Sequence, residues 1–122
     1  MKCLRIYADA NGESHFEDQD IPLTPLELVP NIAPICVSTW EPAKAVRFGW
    51  VPACLKDADW HTTPVRQFVI WLTGWVDYET SDGDTRRCEA GTVVLQEDTF
   101  GKGHRSRHPD EGQFNMFIPL AS

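Results

Sequence analysis

Val65-Arg66-Gln67-Phe68-Val69-Ile70-Trp71-Leu72-Thr73-Gly74, followed by Trp75-Val76-Asp77-Tyr78-Glu79-Thr80-Ser81-Asp82-Gly83-Asp84-Thr85-Arg86-Arg87-Cys88, decides the fold class. Side chains along a strand point alternately to its two faces. Gln67, Val69, Trp71 and Thr73 therefore share one face of the first run, and Phe68, Ile70 and Leu72 share the other. Both faces are largely apolar, which predicts a central strand covered on both sides. Asp82-Gly83 between two alternating runs reads as a hairpin turn, because glycine takes the positive φ that such turns need.

Working outward, further strand-like runs fall at residues 4–7, 36–40, 46–51, 92–96 and 113–120. In the last, Gln113, Asn115 and Phe117 alternate with Phe114, Met116 and Ile118, so one set faces a core and the other can meet a ligand. Helical periodicity is weak throughout; residues 42–45 make one turn at most. Many short strands with Gly and Pro turns predict an all-β sandwich or closed barrel. Residues 1–35 carry Asn11-Gly12 and Pro22, Pro25, Pro30 and Pro34. They read as a short strand, a turn and an extended arm packed on a barrel formed by residues 36–122.

Bulk properties narrow the function. A chain of 122 residues is one domain with room for a real core. Apolar content of 42% and aromatic content of 11% argue for a folded globule. A formal charge of −7, with basic residues scattered apart from Arg86-Arg87 and residues 102–107, makes nucleic acid an improbable partner. Cys3, Cys36, Cys54 and Cys88 lack the close paired spacing of a zinc site and read as small buried hydrophobes with reduced thiols. No apolar signal core follows Met1, and no run approaches membrane-spanning length. A cytoplasmic protein without membrane partners is the expectation.

Chemistry should gather where polar and ring-bearing side chains adjoin strands. His61 precedes the central strand and His104 follows the glycine-rich Gly101-Lys102-Gly103. An imidazole titrates near neutrality, which suits such a pair to general acid–base work. Gln67, Val69 and Trp71 share the face expected to look inward. Trp50 and Trp60 are placed to close a mouth, and Phe117 to add an apolar wall. Arg66 alternates away from Gln67, leaving two readings: a clamp for a carboxylate or carbonyl, or an outward salt bridge. Glu97 is a further candidate for the ligand. His15 and His108 are expected at the surface. The tryptophans favour a flat or apolar small molecule.

Two segments carry a family resemblance. One is Trp60-His61-Thr62-Thr63-Pro64-Val65-Arg66-Gln67, running to Gly74; the other is Gly91 through Glu97-Asp98-Thr99-Phe100-Gly101-Lys102-Gly103-His104. Residues 60–120 resemble small single-domain cupins, in particular a subgroup with His-x-x-Pro-x-Arg-Gln, Ser-Asp-Gly and Glu-Asp-Thr-x-Gly-Lys-Gly-His. The resemblance implies a jelly-roll barrel (a double-stranded β-helix) and a homodimer, with the proline-punctuated arm as an exchanged or covering element. It also implies a pocket that in metal-bearing members holds iron, manganese, nickel or zinc on three histidines and a glutamate. Here His61 and His104 match two of those ligands, whereas Thr63 stands at the second histidine and Gln67 at the glutamate. That set has lost ligand strength and compensating charge, so no metal is assigned; His61, His104 and Gln67 would be its donors, with Glu97 or Asp98 as a replacement carboxylate. The expected function is therefore non-redox acid–base chemistry by His61 and His104 (isomerase, dehydratase, cyclase or lyase) on an aromatic or polyketide-like substrate. A divalent-metal oxygenase and a non-catalytic ligand binder are the alternatives.

Overall fold

The computed structural model describes residues 1–55 and 57–122. Among them every regular element is a strand: β1 (Lys2–Ala8), β2 (Ser14–Asp20), β3 (Thr24–Leu26), β4 (Ile35–Val37), β5 (Arg47–Val51), β6 (Asp57–His61), β7 (Gln67–Trp71), β8 (Trp75–Thr80), β9 (Thr85–Glu89), β10 (Val93–Gln96), β11 (His104–Arg107) and β12 (Gln113–Pro119). They form a six-stranded sheet in the order β2-β1-β10-β7-β12-β5, a four-stranded sheet in the order β6-β11-β8-β9, and a detached β3-β4 pair. Among the described residues only β1 and β10 pair in parallel; every other strand pairing is antiparallel. No helix among the described residues is long and apolar enough to cross a membrane.

The two larger sheets face one another. Leu4, Ile6, Val69, Trp71 and Val94 from the six-stranded sheet meet Val76, Tyr78 and Cys88 from the four-stranded one in a single buried cluster. Two sheets that each have one apolar face are stable only when those faces cover each other, and this cluster is where they do so. A smaller cluster of Cys3, Leu95 and Leu120, with Ile21, Phe68 and Val93 against it, lies on the other side of β1, β7 and β10. β7 is thus fully buried at Gln67, Val69 and Trp71 and half-buried at Phe68 and Ile70, in keeping with its central place.

Several sequence expectations are corrected. β2, β6 and β11 occupy segments expected as connections, because their compositions, SHFEDQD, DADWH and HRSR, are too polar to read as strands. Their pairing comes from neighbouring strands, and strand propensity is strongly context-dependent. Cys3 and Cys88 are buried, and burial pushes the Cys88 thiol up to about 11, so both are inert thiols. Cys36 and Cys54, expected inside, are exposed: one lies on the detached β3-β4 pair and the other in a turn. Trp71 alone of the five tryptophans is buried, and Trp40 is 98% exposed.

Candidate functional site

A cavity of about 530 Å³ opens between the facing sheets. The six-stranded sheet contributes Gln67, Val69 and Trp71 from β7, Gln96 from β10, Asn115 and Phe117 from β12 and Val51 from β5; the four-stranded sheet contributes His61, Tyr78, His104 and Ser106, with His108 beyond β11. Period-two alternation places each wall. Residues 67, 69 and 71 point inward together, as do 104 and 106, and 115 and 117. His61, His104, Gln67, Val69, Trp71 and Phe117 all line this cavity.

His61 and His104 are direct partners in the β6–β11 pairing, and side chains opposite one another on adjacent strands share a face. Their ring centroids are 4.7 Å apart. The pairing slips between His104 and Ser106, and Gly103 makes this close approach possible. It has φ +73°, and a Cβ there would collide with the His61 carbonyl.

The surroundings fix each ring's proton. His104 is buried and its Nδ1 lies 2.5 Å from Oδ2 of Asp98, a carboxylate with no solvent exposure. The other carboxylate oxygen accepts the Thr63 hydroxyl at 2.7 Å, and the Thr63 amide donates to the Asp98 carbonyl at 3.0 Å. A carboxylate accepts, so Nδ1 directs its hydrogen at Asp98, and in the neutral ring Nε2 is the acceptor. His61 is exposed and donates from Nδ1 to the Asp59 carbonyl at 2.7 Å, which again leaves Nε2 as the acceptor. Among the described residues, both rings therefore present Nε2 as the nitrogen without a hydrogen-bond partner.

Beside His104, in an edge-on contact of 5.5 Å, lies the buried ring of Tyr78. Its hydroxyl accepts from Trp71 Nε1 at 3.0 Å and from Gln96 Nε2 at 3.3 Å, while Gln96 Oε1 accepts from Gln67 Nε2 at 3.0 Å. Desolvation pushes the phenol far above its ordinary value, so it stays protonated. Two donors on its oxygen, and no protein acceptor for its own hydrogen among the described residues, leave Tyr78 a polarised donor at the cavity wall.

His108, expected at the surface, is buried in that wall. The inward phase of β11 carries past Arg107 to residue 108, and desolvation lowers the ring's pKa. Its Nδ1 meets Gln113 Oε1 at 2.7 Å, its Nε2 meets Ser106 Oγ at 2.8 Å, and Trp71 lies 5.4 Å away, ring to ring. Asn115 Oδ1 is buried in the same region without a hydrogen-bond partner.

Four predicted contacts lie elsewhere: Arg66, Glu97, Trp50 and Trp60, whose ring lies 5.1 Å from the Arg105 guanidinium. Arg66 and Glu97 alternate to the outer face, where the guanidinium bonds Glu97 and reaches Glu41 at 3.6 Å; Glu97 also accepts from Arg5 at 2.5 Å. These two guanidiniums hold the Glu97 carboxyl below the usual range despite its burial. Trp50 is opposite Phe114 in the β5–β12 register, with ring centroids 4.6 Å apart, on the face that turns away from the cavity. Lys102 pairs with Glu13 at 2.6 Å. A larger groove of about 640 Å³ runs over the outer face of the four-stranded sheet, but its arginines are all paired with acids, Arg87 to Asp77, Arg105 to Glu79 and Arg107 to Asp57 within it and Arg86 to Asp18 beside it. That is a solvated, self-neutralised face.

The donor set does not fit the divalent ion that the cupin resemblance implies. Two imidazoles converge, but Asp98 is already engaged by both the Thr63 hydroxyl and His104, and Gln67 brings only a neutral amide. Among the described residues no three His, Cys, Asp or Glu side chains are grouped to hold a metal. No protein-family model matches the chain, and no curated protein is significantly similar to it.

Proposed function

We propose that the chain is a cupin-like enzyme that moves protons on a small aromatic or polyketide-like carbonyl compound without redox chemistry, as an isomerase, cyclase or lyase does. The observation that carries this reading is the buried Asp98–His104 couple beside the polarised Tyr78 hydroxyl in one cavity. His104 Nε2 takes a proton from the carbon next to the substrate carbonyl. Asp98 holds the ring in the competent tautomer and stabilises the imidazolium that forms. Tyr78 donates to the oxygen on which negative charge develops, a contact that strengthens as the charge grows. The proton then returns to carbon or oxygen from His104, or leaves through the exposed His61. Val69, Trp71 and Phe117 supply apolar surface for a flat ring.

Facing sheets around a histidine-lined hollow support the cupin reading of the architecture. We place the protein in a reducing, cytoplasmic setting on its free thiols, and in a homodimer on its exposed apolar arm. The test is hydrogen–deuterium exchange at the carbon next to the carbonyl in a panel of aryl ketones and 1,3-dicarbonyls, followed by NMR in D₂O. Wild-type protein should accelerate exchange of at least one member. His104→Gln should lose about 10²–10⁴-fold of that acceleration, and Tyr78→Phe a part of it. Equal rates with wild type and His104→Gln would refute the reading; saturable binding without exchange by any member would leave a ligand-binding module.

A further inference from the structure

We propose that the cavity holds a second, separate chemistry: Ser106 is a nucleophile for acyl transfer, activated by His108, and takes esters of small apolar acids. Neither His104 nor Tyr78 takes part, so the inference stands apart from the proton-transfer reading.

The hydrogen-bond chain fixes the roles. Gln113 Nε2 donates to the Thr73 carbonyl at 3.0 Å, so its Oε1 must be the atom that faces His108. An amide oxygen only accepts; His108 Nδ1 therefore carries the hydrogen and Nε2 the lone pair. Among the described residues the group on that lone pair is the Ser106 hydroxyl at 2.8 Å, which donates to it. Nucleophile, base and orienting acceptor thus stand in sequence, each within hydrogen-bond reach of the next, with all three side chains buried. Burial keeps His108 neutral at pH 7, ready to accept a proton. Trp71 beside it at 5.4 Å favours the cation that acceptance creates.

The acyl pocket lies on the same side. Val69, Trp71 and Phe117 line the cavity together with Ser106 and His108 and receive the apolar acyl group.

In the reaction Ser106 Oγ bonds to the acyl carbon as its proton passes to His108 Nε2. The ester C–O bond breaks and the leaving alcohol takes that proton. Water then adds to the acyl carbon and gives a proton to Nε2; the Oγ–C bond breaks and Ser106 is reprotonated. Ester and water become acid and alcohol.

The test is labelling of the full chain with a small alkyl fluorophosphonate, which loses fluoride to an activated serine and leaves a stable adduct. Intact-mass measurement should show one adduct per chain, and peptide mapping should place it on Ser106. His108→Gln should slow labelling at least about 10²-fold, with near-ultraviolet circular dichroism of Trp71 and Tyr78 reporting that the fold is kept. In wild type the rate should be flat from pH 7.5 to 8.5 and fall as the pH drops through the lowered His108 pKa. Wild-type protein that takes no label, or takes it on another residue, overturns the proposal, as does a folded His108→Gln that labels at the wild-type rate. A wild-type rate climbing tenfold per pH unit above 7 would mark an unactivated hydroxyl and overturn it too.

Discussion

Thr63 occupies the position where the cupin resemblance expects a histidine, and its hydroxyl is turned away from metal duty to hold Asp98. The carboxylate in turn sets the His104 tautomer, so three residues separated in sequence act as one unit. Asp98→Asn tests it. The single amide oxygen would go to Thr63, and the amide N–H would face His104 Nδ1 as a donor. The ring must then move its hydrogen to Nε2, removing the lone pair from the cavity. We expect the shape to survive and ketone exchange to fall by about 10³–10⁴-fold, with ¹⁵N shifts of the ring reporting the changed tautomer; unaltered shifts would dismiss the coupling. At this scale alternation made Gln67, Val69, Trp71 and Phe117 legible, since each sits at a predictable phase of a strand, whereas His61 and His104 were legible from the motifs around them, because β6 and β11 do not read as strands. Tyr78, Ser106 and His108 obey the same alternation on β8 and β11, and only reading those strands for their inward phase would have exposed them. Asp98 was not legible as a partner of His104, because loop backbone between β10 and β11 decides where its carboxylate points.

Elements explain what single residues leave open. β11 carries the chemistry, yet HRSR has none of the β-branched or aromatic residues that announce a strand; β6 and β8 on either side impose its extended form. Its entry is clamped where three turns meet. The Ser14 hydroxyl on β2 donates to the Gly103 carbonyl at 2.6 Å, the amides of Ser14 and Ser81 each donate to the other's hydroxyl oxygen at 2.7 Å, and the Lys102 amide donates to the Gly12 carbonyl at 2.8 Å. His15 joins the clamp, with Nε2 2.7 Å from Asp9 and Nδ1 2.9 Å from Asp82 in the β8–β9 turn. These two carboxylates raise its pKa above the ordinary 6.5, Asp9 most. A raised folded pKa means that the native state holds the proton more tightly. The added stability is complete below pH 6.5 and is lost as pH rises through the folded value. His108, with its pKa lowered by burial, acts in the opposite window, costing stability as pH falls below 6.5. The melting temperature should therefore decline from pH 6.5 to 8, and His15→Gln should flatten that limb; a decline that persists in the variant removes His15 as its source.

The molecule as a whole leaves an apolar arm and an apolar strand edge uncovered. β3 and β4 pair only with each other, and two strands without a covered face are marginal in water. Around them Leu26, Leu28, Val29, Ile32 and Ile35 are at least half exposed and Trp40 almost wholly so, while Phe48, Trp50 and Phe114 make an apolar patch at β5, the edge of the six-stranded sheet. Solitary exposed apolar residues need no explanation; a continuous surface of them beside an open strand edge does. A second copy is the occupant that fits, because one chain carries both an unsupported apolar arm and an uncovered apolar edge. The arm of each protomer would lie along β5 of its partner, a self-complementary exchange that closes at two chains. A stable pair buries about 800 Å² on each side, and an arm of this length laid over such an edge has the reach to supply it. Light scattering on the eluting protein should return twice the chain mass of 13.8 kDa. Trp50→Glu together with Phe48→Glu, placed on the outer face away from the cavity, should halve that mass and leave labelling of Ser106 in place. A single-chain mass for wild type at tens of micromolar would mean that the apolar edge serves some other partner, and the exchange would have to be abandoned.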